Sequence, residues 1–199
     1  MVQKRSSTVV RRKQIISAAG KLIVKYGSEH VTVRRIADEI GTSESAIYRH
    51  FKSKSDILSL LVDDIKETLI SEIALKPGET LSSLITLENF LSSHVDKIIQ
   101  RKGTSFQVIA EIVSFGDKKL NKKIYDVVNE YIKTIRNLFA GGVKAGFLNQ
   151  DIDLDTASSL FFSMIQGLVT RWALSHYSFD MKLSYFASWD VFRKTIGTH

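Results

Sequence analysis

Residues 31–54 constrain the fold more than any other stretch, because two short helical patterns flank one glycine-centred turn. Val33, Ile36, Ala37 and Ile40 stand at i, i+3, i+4 and i+7, one apolar stripe of a 3.6-residue helix. Gly41 follows, and glycine accepts the left-handed backbone that ends a helix. Ser43 then offers a side-chain oxygen to cap a second helix, with Glu44 in its first turn, where the helix dipole favours an acid. That second pattern runs from Glu44 to His50. Seven residues at about 1.5 Å rise span roughly 10 Å, a length that fits a DNA major groove about 12 Å wide. The spacing predicts a helix-turn-helix that reads DNA.

The chain has 199 residues, 44% of them hydrophobic, enough to bury a core in one or two domains. A single proline and no β-rich segment predict an all-α protein. With no cysteine, disulfides and thiolate metal sites are excluded, and a cytoplasmic location is expected. Val9 and Val10 are followed at once by Arg11, Arg12 and Lys13, which leaves no apolar core for a signal peptide. The uncharged stretch 157–170 falls short of the roughly 20 residues a bilayer span needs, so no membrane partner is expected.

Charge is unevenly placed. Residues 1–54 carry 12 Lys+Arg against 4 Asp+Glu, whereas residues 55–199 carry 16 against 17. A basic module joined to a neutral one is expected where one end binds a polyanion and the other does something else.

Residues 1–8 read as a mobile arm carrying Lys4 and Arg5, followed by a helix over 9–26 whose apolar face holds Ile15, Ile16, Ala19, Leu22 and Ile23. Gly27 stops it, Thr32 caps the next helix, and Phe51 anchors the third helix to the other two. Ser53 and Asp56 have the spacing of a capping box, with Asp in place of Glu. A long fourth helix begins there and runs through Ile57, Leu58, Leu61, Ile65, Leu69 and Ile73 until Pro77 and Gly78 break it. The expected domains are therefore 1–54 and 55–199. Five further helices are predicted at 80–100, 104–114, 118–145, 153–176 and 182–197, about nine in all.

Ten of the 11 phenylalanines follow residue 54, more aromatic bulk than a slim bundle needs. Most read as core. The rest predict a ligand cavity between bundle helices, with Phe90, His94, Phe106, Phe115, Tyr131, Phe139, Phe161, Met164, Ile165 and Trp172 as the candidate lining. The 153–176 helix is apolar over more than one face, so one side meets its own bundle and another meets a second copy. Ser163 and Gly167, four apart, allow close approach, and the 182–197 helix completes a four-helix bundle. The expected homodimer interface holds Leu160, Ser163, Gly167, Arg171, Phe186 and Trp189.

The R-x-x-I-x-x-A-A at 12–19, the V-T-V-x-x-I-A-x-x-I-G-x-S at 31–43 and the A-I-Y-x-H-F-x-S-K at 46–54 resemble the N-terminal domain of TetR-family transcriptional regulators. The resemblance implies a three-helix DNA-binding domain joined by a long fourth helix to a helical bundle for ligand binding and dimerisation. It implies a homodimeric repressor, released from a double-stranded palindromic operator by a small effector, which the aromatic pocket marks as lipophilic. Carried over by motif position, Tyr48, His50 and Lys54 would hold phosphates, with Thr32 and Ser43 adding helix-start contacts. Base reading would fall to Arg34, Glu44, Ser45, Ala46 and Arg49. Glu44 either accepts from cytosine N4 or serves as a first-turn acid, and Arg35 reads as a backbone or solvent group. Lys4 and Arg5 either enter a minor groove or form a disordered tail.

Other classes find little support. The histidines are scattered, with no HExxH, phosphate loop or nucleophile elbow, so no catalytic site, metal or cofactor is expected. Lys118, Lys119, Lys122 and Lys123 form a second basic cluster, either a solvated helix start or an attractor for a phosphate-bearing ligand such as an acyl-CoA. The alternative of a different class is a ligand-independent, DNA-bound structural or partner-recruiting protein with a solidly packed large domain.

Overall fold

A computed structural model describes residues 2–114 and 116–198, with side chains from Thr8 onward and excepting Ser114. Phe115 and the side chains of Lys4 and Arg5 lie outside the described residues. Among the described residues the chain forms nine α-helices and no strand: α1 Val2–Tyr26, α2 Val33–Glu39, α3 Glu44–Tyr48, α4 Lys54–Ile73, α5 Leu84–Gln100, α6 Thr104–Ser114, α7 Lys118–Lys144, α8 Leu154–Leu174 and α9 Met181–Ile196. The all-α reading holds. Two helix starts differ by more than one residue from the sequence pattern. Helix α1 extends back to Val2 through the stretch expected to be an arm, since no glycine or proline precedes Gly20 to stop it. Helix α5 starts at Leu84 rather than 80, because Ser83 and Thr86 form a reciprocal capping box.

The chain divides into two compact units. The first comprises Met1–Glu67 and Gln107–Val127, the second Thr68–Phe106 and Val128–His199. In the first, α1 packs on α2 and α2 on α3. Ile15, Ala19, Ile36, Ile47, Phe51, Ile57 and Leu58 are all buried there, and the Arg12 guanidinium lies 5.3 Å over the Phe51 ring. Phe51 is thus the anchor its position predicts.

In the second unit α9 packs against both α8 and α5. Its centre is a chain of rings. Phe139 meets Phe161 edge-on at 6.2 Å, Phe161 meets Trp189 at 6.2 Å, and Trp189 stacks on Tyr185 at 6.3 Å. Such pairs contribute roughly 0.5–1.5 kcal/mol beyond area burial. Gly103 is required by its place: its φ is +66°, and an added Cβ would lie 2.5 Å from Val169 Cγ1.

Candidate nucleic-acid interface and effector region

The turn between α2 and α3 is built as its residues dictate. Thr32 Oγ1 accepts from Arg35 N at 3.1 Å to start α2. At the other end Gly41 adopts φ +64°, and Thr42 N donates to Ala37 O at 2.9 Å while Gly41 N donates to Asp38 O at 3.3 Å. That paired closure is a Schellman motif. Ser43 Oγ then accepts from Ala46 N at 3.2 Å and lies 2.9 Å from Ser45 Oγ. Helix α3 is five residues long, two fewer than expected, because His50 N turns back to Ile47 O at 2.8 Å in a tighter closure.

This geometry leaves a polar face outward. Thr32, Arg34, Ser43, Glu44, Ser45, Tyr48 and Arg49 are exposed, and Ala46 and His50 are half-buried. Only Ile47 of α3 is buried. Arg35 is occupied: its guanidinium donates to His30 O at 3.1 Å and lies 5.2 Å over the Tyr26 ring. Lys54, expected on a phosphate, has its ammonium at the backbone of the α1–α2 turn, where it donates to Ser28 O at 2.9 Å, and partial burial lowers its pKa. Nearby, Ser53 Oγ accepts from Asp56 N at 3.1 Å, as a capping box requires. The Asp56 carboxylate, however, accepts from Lys52 N at 2.9 Å rather than from the Ser53 N–H.

Sequence spacing missed the contact that holds the α1–α2 turn to α6. Ser28, buried beside Gly27, donates its hydroxyl to Glu111 O at 3.0 Å and its N–H to Glu111 Oε2 at 3.1 Å. The second basic cluster is also partly spent within the fold. Lys123 Nζ donates to Ser59 O, Ser59 Oγ and Asp63 Oδ2 at 2.7–2.8 Å, and Lys122 pairs with Asp126.

The described residues of the expected effector lining lie in the second unit, where they form packed core rather than the walls of an open cavity. Phe106, Tyr131, Phe139, Phe161 and Ile165 are at most 1% exposed, and Trp172 is also buried, edge-on to Tyr177 at 4.8 Å. Phe90 and Met164 are half-buried. The rings fill the space themselves: Phe106 meets Tyr131 at 6.0 Å and Phe162 at 6.3 Å. A groove of about 370 Å³ in this unit is lined instead by Leu75, Leu81, Leu138, Gly141 and Lys144. His94 is wholly buried, its Nε2 lies 2.7 Å from the Tyr131 hydroxyl, and its Nδ1 has no hydrogen-bond partner. Burial, aided by the charges of Lys97 and Arg101, pulls the imidazole pKa down to about 3.

Of the expected interface residues, Leu160, Ser163, Gly167, Arg171 and Phe186 are exposed. Trp189 is not. It is 1% exposed inside its own chain, because its ring is the link between Phe161 and Tyr185.

Comparison with known proteins fixes the lineage. The profile of bacterial regulatory proteins of the tetR family matches residues 15–61, and that of the C-terminal region of YsiA-like proteins matches residues 47–190. The chain belongs to the TetR family. It is a helix-turn-helix DNA-binding transcriptional regulator, and the family and its neighbours are regulators rather than enzymes. The fatty acid metabolism regulator protein of Bacillus subtilis is 24% identical over 84% of this chain and 86% of its own length. The transcriptional regulator TtgR of Pseudomonas putida is 27% identical over 85% and 83%. The crystal structure of the Bacillus subtilis transcriptional regulator FadR in complex with stearoyl-CoA superposes with a TM-score of 0.73 at 21% identity, covering 92% of this chain and 98% of that one. Among the described residues of this TetR-family chain, no helix is long and apolar enough to cross a membrane.

Proposed function

We propose that this regulator is a homodimeric repressor that occupies a palindromic operator and is released by a lipophilic small molecule. DNA binding is assigned to residues 1–54, and effector binding and dimerisation to residues 55–199. One observation carries the reading: Arg34, Glu44, Ser45, Tyr48 and Arg49 are exposed on and beside a helix whose start is fixed by Ser43. Arg34 and Arg49 suit guanine O6 and N7, Glu44 suits cytosine N4, and Ala46 suits the thymine methyl, with Ser45 adaptable. Thr32, Ser43, Tyr48 and His50 set register on phosphates.

The dimer is assigned to α8 and α9. Leu160, Ser163, Gly167, Arg171 and Leu174 form an exposed line along α8, with Phe186 exposed on α9. A Cβ on Gly167 would meet nothing within 4 Å in its own chain, which leaves room for the backbone of a second copy. The relative that binds stearoyl-CoA supports a long-chain acyl effector. Helix α4 is the assigned route of control, since its first residues belong to one compact unit and its last to the other. A coupling of about 1–3 kcal/mol changes operator affinity roughly 5–150-fold, enough for release.

A ligand-independent regulator is favoured by one observation, the close packing of the aromatic set. Selection of bound sequences from a random DNA pool, followed by fluorescence anisotropy with and without stearoyl-CoA, separates the two. The expected outcome is a palindromic consensus with half-sites about one helical turn apart and weaker binding when the acyl compound is present. Unchanged operator affinity across a panel of lipophilic compounds would establish the second reading instead.

A further inference from the structure

His94 presents a buried donor that its own fold does not use. The Glu72 carboxylate on the Nδ1 side favours the neutral ring's proton there, so that Nε2 accepts from the Tyr131 hydroxyl. That N–H points toward Glu72 Oε2 at 3.8 Å, beyond hydrogen-bond reach. Glu72 is turned away by Arg101, whose guanidinium holds the other carboxylate oxygen. Glu72, Arg101, Leu69, Ile98 and Phe106 together edge a cleft of about 10 Å³, room for about one water molecule. On its inner side Phe106 lies against Tyr131 and Phe162, an apolar and aromatic bed. A buried N–H without an acceptor destabilises the fold, a deficit that an incoming acceptor removes.

We infer that His94 Nδ1 is the anchor for the carbonyl oxygen of an acyl thioester or ester effector, whose chain displaces Phe106 and Phe162 while the Arg101–Glu72 ion pair stays closed and keeps the carboxylate off the imidazole. The inference rests on the effector-controlled reading above and names the chemistry of that effector. A neutral carbonyl fits better than a free carboxylate. The carboxylate would have to sit beside the Glu72 carboxylate, and like charges at short range in a dry site repel strongly. Arg101 is half exposed, and with Lys97 it edges the cleft, where the two cations suit an anionic head group left outside.

The test compares stearoyl-CoA with S-octadecyl-CoA, a thioether with no carbonyl, on the full-length protein by fluorescence displacement. The wild type should bind the thioester about tenfold more tightly, the worth of one buried hydrogen bond. In His94→Phe, with folding confirmed by its melting curve, the two compounds should bind equally. Arg101→Ala, which frees Glu72 to accept from Nδ1, should lower the preference for the thioester at least threefold. Equal binding of both compounds by the wild type overturns the inference while leaving effector control intact. A thioester preference undiminished in Arg101→Ala overturns the part given to Glu72. Failure of both compounds to bind removes the acyl-effector reading and this inference with it.

Discussion

Ser28 and Glu111, 83 positions apart, are joined twice, once through the serine hydroxyl to the Glu111 backbone oxygen and once through the serine N–H to the carboxylate. The α1–α2 turn is thereby tied to α6 at a point where Ser28 is almost wholly buried. Ser28→Ala breaks the first bond and Glu111→Ala the second. Each should lower the free energy of unfolding by about 1–2 kcal/mol in urea titrations. Since neither substitution disturbs the other bond, the double variant should lose roughly the sum. A double variant no worse than either single one would show that the bonds are not independent.

Lys54 supplies a second prediction. Because its ammonium is committed to the Ser28 carbonyl, Lys54→Met should lower stability by about 1 kcal/mol. The dependence of operator affinity on salt should keep its slope. Had Lys54 held a phosphate, the slope of log K against log salt would fall by about 0.9.

Arg34 and Tyr48 should separate reading from holding. Tyr48→Phe removes one hydroxyl from an exposed ring and is expected to weaken binding to all operator variants by a common factor. Arg34→Ala should lose about 1–3 kcal/mol at one base position and relax the preference there. Measured affinities across a set of single-base operator variants check both. A uniform loss for Arg34→Ala would assign it to phosphate.

On α8, Gly167→Trp should leave the isolated fold intact, because the added side chain projects into open space in its own chain. Pairing should fail. Sedimentation equilibrium is expected to give a mass near the 22.4 kDa of one chain, against twice that for the wild type. A variant that stayed dimeric would move the interface off this stripe.

His94 predicts an acid-sensitive contribution to stability. Folded His94 titrates near pH 3, whereas the exposed imidazole of the unfolded chain titrates near its ordinary value of 6.5. Between those values the unfolded chain binds more protons, so this contribution is full above pH 6.5 and lost as the pH falls toward 3. His94→Gln carries no such proton. Plots of unfolding free energy against pH for the two proteins should converge on acidification, and parallel plots from pH 7 to pH 4 would contradict the assignment.

Much of the framework is legible in local spacing. Thr32, Gly41 and Ser43 do what a cap, a left-handed stop and a second cap are chosen for, because those choices depend on a few neighbouring residues. The burial of His94 is legible too: it occupies the stripe of Leu87, Leu91 and Ile98 on α5. Tyr131 likewise falls in line with Ile124, Val127, Ile135 and Leu138 on α7. Their pairing is not legible, since nothing in either stripe states which helix it will face. Lys54 is ambiguous for a related reason. A lysine at a helix start has the same local sequence whether its flexible stem carries the charge to a phosphate or back to a carbonyl. Trp189 and Phe186 sit on one amphipathic helix, and only tertiary packing decides which aromatic turns inward.

The single buried residue of α3 has a consequence for how such regulators diversify. Within α3 only Ile47 is buried, Phe51 anchors the chain just beyond it and Ser43 caps its start, so the exposed positions 44, 45 and 49 are nearly free of folding constraint. Exchanges at 44, 45 and 49 are then selected by the promoter rather than by the core. Duplicated copies of such a gene can drift to new target sites within a few substitutions and remain folded throughout.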